Sequence, residues 1–199
     1  MSKGDFGYIR SRRKSAVLRT AVLAGFSVGI FLAGYLYYGT NKNLFSFIAV
    51  IGAIPTGLSA VNMILYLRAK PFPEELYAKI EQHRAGLLIR YELVMTSYER
   101  TYQIGAACVQ SKNVCLFTAD EKADTAACEQ HIREQLKIGG YEDLTVKVFG
   151  ASELPAFTAR LDQLEKLRNA ENIDPYAVEA AWQPGTTQTP AGILLSISL

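Results

Sequence analysis

Two uncharged apolar runs, Thr20 to Asn41 and Asn43 to Leu67, constrain this chain more than any other feature. At about 1.5 Å of rise per residue, a helix of roughly 22 residues reaches about 33 Å, which covers a hydrocarbon core of about 30 Å. The first run carries Val22, Leu23, Phe26, Val28, Ile30, Phe31 and Leu32 and closes on Tyr35, Tyr37 and Tyr38, aromatic residues suited to a headgroup boundary. The second carries Leu44, Phe45, Phe47, Ile48, Val50, Ile51, Ile54, Leu58, Val61, Ile64, Leu65 and Leu67. Both are expected to be transmembrane helices, with spans at about 17–39 and 44–67.

Two other readings fit less well. Arg12, Arg13 and Lys14 ahead of an apolar stretch also describe a secretory signal, but such an apolar region is about 7 to 15 residues long and ends at a small-x-small cleavage site. Burying two all-round apolar helices inside a soluble protein takes a larger core than this chain supplies. Orientation follows from the basic residues. Lys3, Arg10, Arg12, Arg13, Lys14 and Arg19 precede the first apolar run, Arg68, Lys70 and Lys79 follow the second, and the connection holds only Lys42, so both termini are expected in the cytoplasm.

Small residues suggest where the helices pack. Gly25, Gly29 and Ala33 recur every four residues in the first, and Ala53 and Gly57, with Ala60 or Val61, form a weaker stripe in the second. The expected use is packing within the hairpin; a second copy or a larger membrane complex is the alternative. Pro55 and Asn62 interrupt the second span with a missing N–H and a polar amide. Neither apolar run, Thr20 to Asn41 or Asn43 to Leu67, contains Asp, Glu or Arg, which gives little support to an ion path.

From Lys70 the composition becomes that of a soluble domain of roughly 130 residues. Charge divides at the same place: up to Ala69 there are 8 basic and 1 acidic residues, and from Lys70 onward 13 basic and 18 acidic. The basic excess thus belongs to the anchor, where it serves topology and attraction to anionic lipid, and offers no case for nucleic acid.

Periodicity then orders the soluble part. A helix is expected over Glu74 to Arg84, stopped by Gly86; strands over Leu87 to Tyr98, Thr101 to Gln110 and Val114 to Thr118, the last two joined through Ser111, Lys112 and Asn113. An amphipathic helix over Ala123 to Lys137 starts at the N-cap Asp124 and ends at Gly139 and Gly140. A strand over Leu144 to Phe149, a helix from Ser152 through Leu167, and a short helix through Val178 and Trp182 follow. The alternation Ile193, Leu195, Ile197, Leu199 predicts a terminal strand. The fold class is α+β: a transmembrane helical hairpin with a basic N-terminus in residues 1–70, then a mixed αβ cytosolic domain in 71–199 of order α-β-β-β-α-β-α.

That order resembles in outline the core of the restriction-endonuclease-like nucleases, which place an acid on the second strand and Glu-x-Lys on the third to hold Mg²⁺. Gly105, Ala106 and Ala107 stand at the first position and Phe117, Thr118 and Ala119 at the second; Asp120, Glu121 and Lys122 come a few residues late. The resemblance therefore implies at most a degenerate relative without the metal site. Cys108, Cys115, Cys128 and His131 form a conceivable Cys₃His set, since Cys128 and His131 are three residues apart on a helix and Cys108 faces Cys115 across a two-residue turn. The absence of a C-x₂-C knuckle weighs against it, and small buried residues in a reducing cytosol explain the same cysteines. No G-x-S-x-G elbow or phosphate-cradling glycine loop occurs, and Glu74, Glu75, Glu142 and Asp143 sit at element ends.

The segments RRKSAVLRT before the first span, LRAKPF after the second and TSYERTYQI in the strand region resemble a group of two-span membrane proteins of Gram-positive anaerobic bacteria. The resemblance covers most of the chain and implies the same topology, with no activity to carry over. The expectation is thus an inner-membrane, multi-pass protein presenting a non-catalytic interaction or regulatory domain, without a cofactor. Its partners are the lipid bilayer and either a second copy or another protein. A membrane-tethered enzyme and a small oligomeric channel or transporter subunit are the alternatives.

Overall fold

A computed structural model describes residues 1–97 and 100–199. It divides into two compact units: Ile9–Lys70, and Met1–Tyr8 together with Pro71–Leu199.

The first unit is a hairpin of α1 (Tyr8–Tyr38) and α2 (Leu44–Arg68), both long and apolar enough to cross a membrane. α1 begins well before the expected span, because the Arg- and Lys-rich stretch ahead of the apolar run is itself good helix-forming sequence. Large side chains such as Phe26, Leu36, Phe47 and Val50 are exposed around both helices, which therefore are not core helices of this chain.

The helices meet along Arg13, Ala16, Thr20, Leu23, Ser27, Ile30 and Gly34 of α1, at alternating steps of three and four. Ala49, Gly52, Thr56, Ser59, Met63 and Tyr66 form the facing row of α2. Alternating steps of three and four keep each row on one face of its helix. Thr20 and Ser59 hydroxyls hydrogen-bond at 2.8 Å, Ser27 and Thr56 at 3.4 Å, and a Cβ on Gly34 would stand 2.4 Å from that of Phe45. The expected stripe of small residues lies outside these contacts: Cβ positions at Gly25, Gly29 and Gly57 have open space around them, and Ala33 and Ala53 are exposed. The physical reason lies in the hydroxyls. An unpaired hydroxyl in apolar surroundings is costly, so the face bearing Thr20, Ser27, Thr56 and Ser59 turns inward ahead of the purely small one. Pro55 lies inside a continuous α2.

In the second unit a four-stranded sheet runs in the order β1 (Ile89–Thr96), β2 (Thr101–Gln110), β3 (Asn113–Phe117), β4 (Thr145–Phe149). The first three are antiparallel; β4 runs parallel to β3. That parallel pair is joined by α4 (Thr125–Ile138), the crossover that parallel neighbours require. The Asp124 side chain accepts from the N–H of Ala127, as its N-cap role predicts. Ser111 and Lys112 make a two-residue turn, with Asn113 already paired to Gln110. Tyr98, the expected end of the first strand, lies outside the described residues.

One face of the sheet packs Leu93, Met95, Ile104, Leu116, Val146 and Val148 against Cys128, Ile132 and Leu136 of α4 and Leu194. The other packs Ile89, Tyr91, Cys108, Cys115 and Phe117 against Ile80 of α3 (Glu74–Glu81) and against Phe157, Leu161 and Leu164 of α5 (Leu154–Glu171). Two short helices complete the chain, α6 (Pro175–Ala180) and α7 (Pro190–Ser196).

α7 replaces the expected terminal strand. Thr189 caps it by accepting from Gly192 N–H, Pro190 occupies the first turn, and Ala191 and Leu194, three apart, are buried together. A cap, a proline and helical spacing outweigh a short alternation. Only the last residues extend along β1, where Leu199 N–H donates to Val94 O at 2.8 Å and Ser198 bridges Met95.

Candidate functional site

Along β1 and β2 the sheet changes face. Ile89 and Tyr91 belong to the α3/α5 side, whereas Leu93 and Met95, at the same parity, belong to the α4 side; Ala106 and Cys108 differ from Tyr102 and Ile104 in the same way. A regular strand keeps residues two apart on one face. The inversion falls where Glu92 adopts φ +54° opposite Gly105, between the pairs Tyr91↔Ala106 and Leu93↔Ile104. The ring of Phe72 occupies the space there, since a Cβ on Gly105 would lie 2.1 Å from its Cε2. Glu92, 5% exposed, turns its carboxylate to accept the N–H of Phe72 at 3.1 Å.

This geometry decides what the nuclease-like positions hold. Gly105, where a metal-binding acid would stand, lies under an aromatic ring, and Ala106 and Ala107 are buried in core. Phe117 is fully buried, while Thr118 donates its hydroxyl to Gln103 O at 2.7 Å. Asp120 accepts from the N–H of Lys122 in the turn leading to α4.

The cysteines do not converge. Cys108 and Cys115 are paired across β2 and β3 on the α3/α5 side, and Cys128 lies on the α4 side with the sheet between them. His131 stacks on Tyr102, ring centroids 5.8 Å apart, and His83 pairs with Asp162 at 2.7 Å. Among the described residues no group of three or more His, Cys, Asp or Glu is placed to hold a metal ion. Burial pushes the thiols of Cys108 and Cys115 up, and that of Cys128 to about 12, so none is a thiolate near neutrality.

A different position carries an unmet buried polar group. Gln110, at the end of β2 and 1% exposed, donates its amide to Ile173 O at 3.5 Å, while its Oε1 is buried without a partner among the described residues. It lines a crevice of about 110 Å³ with Leu88, Val109, Pro175, Val178, Pro190 and Ala191. A buried, unmet acceptor costs about 1–3 kcal/mol, so an apolar group carrying one N–H or O–H donor complements the crevice. Two of its lining residues, Ile173 and Val178, are large exposed apolar side chains. Among the described residues outside the hairpin the others are Met1, Ile138, Tyr176 and Trp182, and Ile173, Tyr176, Val178 and Trp182 fall within ten residues of one another. Sequence reasoning passed over Gln110 because a polar residue before a turn reads as solvated; only α6 and α7, folding back from 60 and more residues away, bury it.

Compared with protein-family models, curated proteins and solved structures, the chain matches none.

Proposed function

We propose that this chain is a bacterial inner-membrane protein whose two-helix hairpin anchors a non-catalytic interaction domain, with both termini in the cytoplasm. The observation that carries the topology is the company kept by the first eight residues. Gly4 O accepts from Tyr91 N–H at 2.8 Å, Phe6 stacks on Tyr77 at 4.0 Å between ring centroids, and Lys3 Nζ donates to Ser198 O. Residues on both sides of the hairpin thus build one folded unit, which suits a pair of spans that leave and return on the same side. Cleavage of a signal sequence within the first run would strip these contacts from the domain.

The interaction role is supported by the exposed apolar segment Ile173 to Trp182 beside the crevice at Gln110. The reading commits to a protein partner that seats an apolar side chain in the crevice and donates one hydrogen bond to Gln110 Oε1. A photo-crosslinking residue at Val178 in the full-length chain, expressed in cells, tests it. A discrete protein adduct that disappears with Gln110→Leu and is absent from a probe at Glu121 is expected; no adduct, or one indifferent to Gln110, sinks the reading. For topology, reporters active only outside the cytoplasm are expected to work in the loop 39–43 and fail after Leu199.

A further inference from the structure

We propose that a notch between α1 and α2, lined by Arg12, Ser15, Arg19, Ser59, Asn62 and Tyr66, binds the phosphate of an anionic phospholipid. The inference rests on the bilayer reading of the hairpin and adds a specific ligand to it. Arg12, Ser15 and Arg19 recur at three- and four-residue steps on α1, and Ser59, Asn62 and Tyr66 do so on α2, so each helix brings one face to the notch. The space is about 170 Å³, several times the roughly 30 Å³ share of one water molecule and ample for a tetrahedral phosphate.

Its chemistry is that of an oxyanion site. Two guanidinium groups present forks of N–H donors, and Ser15, Asn62 and Tyr66 add hydroxyl and amide donors. Among the described residues no carboxylate lines it, and the sequence has none from Phe6 to Pro73 to compete with an anion for Arg19 within the hairpin. Inorganic phosphate shares this chemistry, but position favours the lipid. From Thr20 to Tyr38, and from Leu44 to Asn62, each helix climbs about 28 Å, close to the hydrocarbon thickness. The notch therefore opens at headgroup depth. Beyond it Val22, Phe26 and Leu58 are exposed where acyl chains would run.

The test titrates the full-length protein in neutral detergent with dioleoylphosphatidylglycerol, with dioleoylphosphatidylcholine and with inorganic phosphate, counting bound lipid by native mass spectrometry. Phosphatidylglycerol is expected to be retained in preference to phosphatidylcholine, whose choline cation offsets its phosphate. Retention is expected to weaken about tenfold in R12A/R19A and in Ser15→Glu, the latter a single exposed change that places an anion in the notch. It is expected to change less than about twofold in R10A/K14A, which removes two charges from α1 outside the notch. Equal loss in both double variants, unchanged retention in R12A/R19A and Ser15→Glu, equal retention of the two lipids, or displacement by millimolar inorganic phosphate overturns the proposal. Alkaline carbonate separates the two readings: a chain washed off membranes sinks the anchor as well, whereas one that stays embedded yet ignores phosphatidylglycerol sinks only the lipid site.

Discussion

The backbone N–H of Phe72 donates to the buried carboxylate of Glu92 at 3.1 Å, four residues after α2 ends at Arg68. The neighbouring residue, Tyr91, donates its own N–H to Gly4 O, four residues before α1 begins at Tyr8. The chain segments that lead into and out of the hairpin are thus both tied to adjacent residues of β1. The strained φ of Glu92 is what turns its carboxylate to this task, and Gly105 is what leaves room for the Phe72 ring.

Phe72 and Gly105 are expected to be energetically coupled. Phe72→Ala is expected to destabilise by about 3–5 kcal/mol and Gly105→Ala by about 1–3 kcal/mol. In the double variant the small side chain at 72 makes room for the new methyl, so the sum should fall short by about 1 kcal/mol or more. Unfolding of the full-length chain in detergent, followed by circular dichroism, measures the cycle; strict additivity would contradict the contact.

Arg13 closes the end of α2. Its guanidinium donates to the carbonyl oxygens of Tyr66, Leu67 and Ala69, which have no helical partner of their own. Arg13→Ala is expected to cost about 1–3 kcal/mol. Arg13→Lys should recover only part of it, because a single ammonium does not reproduce the fork. Helicity and thermal unfolding in detergent check this; equal behaviour of the Ala and Lys variants would refute it.

All three thiols are expected to resist a maleimide in the folded protein and to react fully once denatured, since each is buried with its proton held. The sign of the pH effect follows. An unfolded thiol ionises near 8.5, whereas folded Cys128 keeps its proton to about 12. Between these values the unfolded state binds fewer protons, so this group's contribution to stability is complete below about 8.5 and declines as pH rises. Fast labelling at neutral pH, or stability that climbs above pH 9, would count against the burial described.

Gln110→Leu is expected to change stability by less than about 1 kcal/mol, since it removes an unmet buried acceptor and, against that, the long amide hydrogen bond to Ile173 O. A loss of 2 kcal/mol or more in thermal unfolding would mean that the carboxamide is structurally required, and would weaken its assignment to partner binding.

Most elements were legible from short-range signals. Asp124 before an amphipathic run, the glycine pair after it, and the polar turn at Ser111 and Lys112 act over a few residues, so their outcome follows from local chemistry. The misses share a cause too. Small residues such as Gly25, Gly29, Ala33, Ala53 and Gly57 permit close approach without compelling it, and within the hairpin the hydroxyls of Thr20 and Ser59 are the ones that pair. The terminal helix was hidden because the alternation of Ile193, Leu195, Ile197 and Leu199 masks the Thr189 cap and Pro190.

What the sequence determined by itself is the presence of two bilayer-length apolar helices and an αβ domain, because hydrophobic run length and period act along the chain. The tertiary structure alone decided that β1 and β2 invert their faces at Glu92 and Gly105, that the sheet separates Cys128 from Cys108 and Cys115, and that Gln110 is buried. Each depends on segments distant in sequence coming together. The free energy of a polar group is set by whatever neighbours the fold brings to it, and those neighbours are not written beside it in the chain.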